Sequence, residues 1–108
     1  MNTKVLMLET CKGLSPVWKG LERRDRSLAD QGRRAMQSMV LQYGEGLHAY
    51  GKNRTAKLLG ARSEAHETLM CLELASMCGL IDCGPVAPMA DALDRIAAIL
   101  WLKVHRPR

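Results

Sequence analysis

Phenylalanine is missing from this chain altogether, and the aromatic residues that remain are Trp18, Trp101, Tyr43 and Tyr50. Segments of alternating β-branched residues are also scarce. The apolar mass is supplied by Leu, Ala and Met, which are strong helix formers. Together these absences argue against a β-rich class and for an all-α one. The cysteines, Cys11, Cys71, Cys78 and Cys83, never fall in CxxC spacing, and no histidine pair stands beside them at ligand spacing. A zinc site is therefore not expected. Cys71 and Cys78 are seven residues apart, on one face of a helix and roughly 10 Å from each other, too far for a disulfide. They are expected to act as small hydrophobes in a reduced, cytoplasmic setting. The stretch MNTKVLMLETCKGLSP lacks a long apolar run and carries charges early, so neither a signal peptide nor a membrane anchor is expected. There is no Walker-type phosphate loop, no Gly-x-Ser-x-Gly elbow, no repeat and no low-complexity linker. No enzymatic activity is expected from this inventory.

What is present is helical periodicity. A chain of 108 residues suffices for one domain, 1–108, with a modest core. The organising stretch runs from Arg23 to Gly46, with apolar residues in two rows: Leu28, Ala35, Met39, and Met36, Val40, Tyr43, Leu47. Two rows on one helix make a wide face that needs neighbours on more than one side. The spacing predicts a first helix over about Thr3–Glu22, with Met7, Cys11, Leu14, Trp18 and Leu21 as its seam. Pro16 should kink it. The alternative is a break there, with Ser15 as N-cap and Pro16 in the first turn of a second piece. Helix two is expected from an N-cap at Ser27 to about Tyr50, with Asp30 complementing the helix dipole. Gly32, Gly44 and Gly46 inside it each cost roughly 1 kcal/mol against Ala, for which close helix approach is the readiest reason.

Gly51-Lys52-Asn53 should turn the chain into helix three, about Arg54–Cys78, with Leu58, Ala61, Ala65, Leu69, Leu72 and Ala75 inward. Gly79 is a natural stop. Cys83-Gly84-Pro85 and Pro88 should form the connection to helix four, about Pro88–Val104. That helix carries Val86, Met89, Leu93, Ile96 and Leu100. The architecture expected is an up-down-up-down antiparallel four-helix bundle. Its apolar excess, including seven methionines, is broad for one small bundle, and a homo-oligomer is expected.

The functional signal is basic. The net charge of +5 favours acidic partners. Arg23, Arg24, Arg26, Arg33 and Arg34 crowd the junction of helices one and two. Lys52, Arg54 and Lys57 crowd the next junction, and Lys103, Arg106 and Arg108 close the chain. In an alternating bundle Lys52, Arg54, Lys57, Lys103 and Arg106 share one end, where they could hold phosphates in a salt-sensitive, sequence-independent way. The plainer alternative is that these charges solvate helix ends and complement their dipoles. With so few aromatics, recognition of unpaired bases by stacking is not expected. Glu64, Glu67 and Glu73 with His66 resemble a di-metal bundle only superficially. Such sites need a Glu-x-x-His pair from each of two helices, whereas His66 and Glu67 are adjacent, about 100° apart on the helix. No metal or other cofactor is expected. Glu67 is read instead as an interhelical anchor for an arginine of helix two such as Arg34.

Three stretches carry a family resemblance. They are Gln31-Gly32-Arg33-Arg34-Ala35 with Ser38-Met39 and Gln42-Tyr43-Gly44-Glu45-Gly46; Ala61-Arg62-Ser63-Glu64-Ala65-His66-Glu67 with Leu72-Glu73-Leu74-Ala75 and Gly79-Leu80-Ile81; and Leu93-Asp94-Arg95-Ile96 with Leu100. The chain resembles, over nearly its whole length, the four-helix bundles of the 23S rRNA intervening-sequence proteins and the accessory variability determinants of diversity-generating retroelements. Gly32 departs from a large apolar residue in that pattern, Gln42 from Asn and Ser63 from Gly. The resemblance implies a non-enzymatic bundle that assembles as a ring, commonly a pentamer, with a basic surface. It makes Glu45, Gly46 and Glu67 structural-motif positions, and it implies nucleic acid and a reverse transcriptase as partners. The competing reading is a scaffold ring that docks another protein and touches no nucleic acid.

Overall fold

A computed structural model describes residues 2–105. It places them in four helices, α1 (Thr3–Glu22), α2 (Arg26–Leu47), α3 (Gly51–Met77) and α4 (Cys83–His105), with no strand among the described residues. Each helix packs on the next, and α4 closes against α1. The short connections make neighbours antiparallel, in a rod of 43 × 23 × 20 Å. The expected all-α four-helix bundle is the fold observed.

The apolar rows explain the packing. Met7, Leu14, Trp18 and Leu21 of α1 are buried, and Cys11 is partly so. On α3, Leu58, Ala61, Ala65, Leu69, Leu72 and Ala75 are all buried, and Val86, Leu93, Ile96 and Leu100 answer them from α4. The two rows of α2 separate Ala35, Met36, Met39 and Tyr43, which are buried, from Leu28 and Val40, which are half-buried. Leu47 stays 42% exposed, at the last turn, where the core has ended.

Helix α1 has the bounds expected of a single helix, whereas several other boundaries differ from expectation. Pro16 lies inside an unbroken α1. It is exposed, so the backbone carbonyl it leaves without a partner faces water. The N-cap of α2 is Asp25, not Ser27: its carboxylate accepts from the Leu28 N–H at 3.0 Å. Asp30 is spent on Arg33. Helix α2 stops at Leu47 rather than Tyr50, because its final carbonyls bond to turn groups, including the Arg54 guanidinium on Gly46 O at 3.2 Å. The turn runs through His48, Ala49 and Tyr50, and Gly51, at φ +56°, opens α3, so Lys52 and Asn53 already belong to the helix. Helix α4 starts at Cys83, five residues before Pro88. Pro85 falls in the first turn, where no intrahelical donor is needed, and burial of Val86 favours extending the helix back across Pro88.

The glycines of α2 divide by neighbour. A Cβ on Gly32 would collide with the Trp18 ring of α1, and one on Gly46 would lie 2.9 Å from Leu58 of α3. Close approach thus accounts for both, to α1 at Gly32 and to α3 at Gly46. Gly44 meets nothing within 4 Å.

Candidate nucleic-acid interface

The basic residues form two groups at opposite ends of the rod. At the α1–α2 corner, Arg23, Arg24 and Arg26 are exposed. Arg33 is turned inward to a pair of acids, with Glu22 at 3.0 Å and Asp30 at 3.1 Å. Arg34 is exposed, and its Nε donates to the Asp30 carbonyl at 3.5 Å. At the other end stand Lys52, Arg54, Lys57 and Lys103. Lys57 pairs with Glu45 at 3.2 Å, and Arg54 donates to Gly46 O. Arg106 and Arg108 lie outside the described residues. The expected crowds are therefore thinned by local partners. Arg23, Arg24, Arg26, Lys52 and Lys103 are the exposed members with no ion pair or side-chain hydrogen bond among the described residues.

Between the two ends the α2–α3 face is polar. Ser38 donates to Glu64 at 3.1 Å, Gln42 donates to Ser38 at 3.0 Å, and Gln31 donates to Glu67 at 3.5 Å. Glu67 does anchor α3 to α2, but through Gln31 and not Arg34. Glu45 and Gly46 act beside it as helix-joining positions, one through Lys57 and the other through contact with Leu58. Gln31, Ser38, Gln42, Glu45, Glu64 and Glu67 line a groove of about 740 Å³ with Arg34, Gln37 and Leu41. Two of its three acids accept hydrogen bonds within the face, and Glu45 takes Lys57.

The cysteines are free. Cys71 is buried, whereas Cys78 caps α3 and is exposed, so the two do not share the buried role expected of them. Burial pushes the Cys11 thiol pKa above its ordinary value. Burial, and then the nearby Glu67 carboxylate, does the same at Cys71. Neither is poised as a thiolate nucleophile. No group of three or more His, Cys, Asp or Glu converges as a metal-holding cluster among the described residues. No described helix is long and apolar enough to cross a membrane.

One cluster was not anticipated. Trp101 is 43% exposed, and the His105 ring stacks on it with centroids 3.5 Å apart and planes 23° from parallel. His105 Nδ1 lies 3.0 Å from the Trp101 carbonyl oxygen, which fixes the ring. From α3, the Arg62 guanidinium carbon lies over the same indole, 4.8 Å from its centre. The only trace of this in the sequence is the i, i+4 spacing of Trp101 and His105; Arg62 joins them only through the packing of α3 on α4.

No protein-family model matches the chain, and no curated protein matches it by sequence. Among solved structures, the chain is similar to a 1.70 Å crystal structure from Bacteroides thetaiotaomicron VPI-5482, described as a protein with unknown function from the S23 ribosomal protein family. The TM-score is 0.87 at 22% identity, covering 95% of this chain and 98% of the other. At that identity the likeness establishes the shared four-helix fold.

Proposed function

We propose that this chain is a non-enzymatic, homo-oligomeric accessory bundle that associates with nucleic acid through its basic ends. The observation that carries this reading is the Arg23-Arg24-Asp25-Arg26 corner. The one acid within it is committed to capping α2, and the three arginines around it project outward without a carboxylate partner. Arginines in that state suit phosphate oxygens, which they can engage through paired N–H donors. The ribosomal-protein family name of the structural neighbour agrees with an RNA-associated role. The resemblance of the sequence to retroelement accessory proteins makes a reverse transcriptase the protein partner to test first.

The test is fluorescence anisotropy with a generic RNA at low and raised salt. Binding should be measurable at low salt and weaken steeply as salt rises. Replacing Arg23, Arg24 and Arg26 together by Ala should lower the log–log salt slope by about 2 on single-stranded RNA. Absence of binding at low salt would end this reading. A second reading, a scaffold that docks only protein, draws on the exposed apolar side chains of α3, of which Met70 is 61%, Leu74 52% and Met77 87% exposed. It predicts co-purification of a partner protein by a chain that ignores RNA.

A further inference from the structure

The α3–α4 face carries an open groove of about 430 Å³ lined by Arg62, His66, Asp94, Trp101 and Leu102. Its chemistry is uncommon for a solvated bundle face. Arg62 Nε is shut away from water and has no hydrogen-bond partner, although a buried donor without an acceptor is costly. The Arg62 guanidinium makes no ion pair among the described residues, even though Asp94 lines the same groove. Instead it lies over the Trp101 indole, itself stacked with His105. The result is an exposed Arg–Trp–His stack, held in place by a backbone contact to His105. The exposed Lys103 stands two residues from Trp101 on the same helix. Trp101 thus stands partly in solvent, although aromatic side chains gain most from burial.

We infer that this stack is a binding site for an unpaired nucleotide, so that the nucleic acid this protein takes is single-stranded. The inference rests on the nucleic-acid reading above and adds the strand class to it. It reverses the expectation, drawn from the low aromatic content, that bases are not read by stacking. His105 and Arg62 already cover the indole, so a base extends the stack on the outer face of the exposed His105 ring. A phosphate of the same strand meets the Arg62 guanidinium. A duplex cannot use the site, because its bases are already stacked on one another. The charged ends attract either form, so the aromatic stack alone confers the preference. An acidic peptide could satisfy Arg62 but would leave the ring faces unused, which is why a nucleotide is the better fit.

The experiment compares a labelled single-stranded oligonucleotide with its duplex, on the full chain at one low salt concentration. Trp18 is fully buried, so intrinsic fluorescence that responds to ligand comes from Trp101. The single strand should bind about tenfold more tightly than the duplex and quench that emission. Trp101→Leu keeps apolar bulk without a ring and should erase the preference, leaving duplex binding as it was. Trp101→Tyr should restore most of it, which a merely structural role for the indole would not require. Equal binding of both forms, or a preference that survives Trp101→Leu, overturns the inference while leaving the basic-end reading standing. Loss of all nucleic-acid binding in the unsubstituted chain overturns both. Competition at the site by an acidic peptide and not by nucleotides overturns the inference in favour of a protein partner.

Discussion

At the scale of single residues, the Trp18–Gly32 pair is the most specific contact in the core. Trp18 is fully buried, its indole N–H points to Met36 Sδ at 3.4 Å, and the ring lies where a side chain on residue 32 would stand. The family pattern that the sequence resembles has a large apolar residue at this position; here Trp18 fills the space from the other helix. A methyl group on Gly32 would have to displace a ring with nowhere to go. Gly32→Ala is therefore expected to destabilise the fold by about 1–3 kcal/mol in urea denaturation, despite the better helix propensity of alanine. Gly44→Ala, which meets nothing within 4 Å, should act oppositely and stabilise by up to about 1 kcal/mol. Equal effects at the two positions would show that propensity, and not the Trp18 contact, governs residue 32.

At the scale of elements, the termini decide how the helices connect. The end of α3 is tied by Leu80 N–H to Ala75 O at 2.8 Å and Gly79 N–H to Ser76 O at 3.0 Å, with Gly79 at φ +70°. This is a Schellman closure, and only glycine adopts that conformation without strain. Gly79→Ala should cost about 1–2 kcal/mol in thermal or urea unfolding with helicity retained. A smaller loss would mean that the α3–α4 connection rearranges freely. The start of α4 shows the opposite balance. Two prolines within its first six residues, signals for a loop in the sequence, are absorbed because Val86 gains burial and Pro85 sits where no donor is required.

At the scale of the whole molecule, α3 stands out because its C-terminal half also carries apolar side chains on the outside. Its inner face lies in the core, yet Met70, Leu74 and Met77 recur along the outer one at spacings of four and three residues. Leu41 on α2 is also 68% exposed. A surface stripe of this kind marks a contact with another chain. In light scattering the chain should therefore run at a multiple of its 12.0 kDa mass. Met70→Glu with Met77→Glu should shift it toward the single-chain value while circular dichroism stays helical. A mass of 12.0 kDa for the unsubstituted chain would refute self-association.

The sequence by itself determined the helical class, the core and the alternating order. Each of these follows from residues at 3.6-residue spacing, a local periodicity that burial rewards in only one arrangement of short-looped helices. The inward rows of α1, α3 and α4 were legible residue by residue for that reason. Helix ends were less so: Asp25 rather than Ser27, and Cys83 rather than Pro88, were chosen by which polar group reached a free N–H and which side chain gained burial. The candidate site was legible only as charge. Whether Arg33 and Lys57 face outward, or are taken by Glu22, Asp30 and Glu45, depends on distances across helices. The joining of Arg62 to Trp101 and His105 was decided by the tertiary structure alone, because residues on two helices share a face only once the packing sets the register between them.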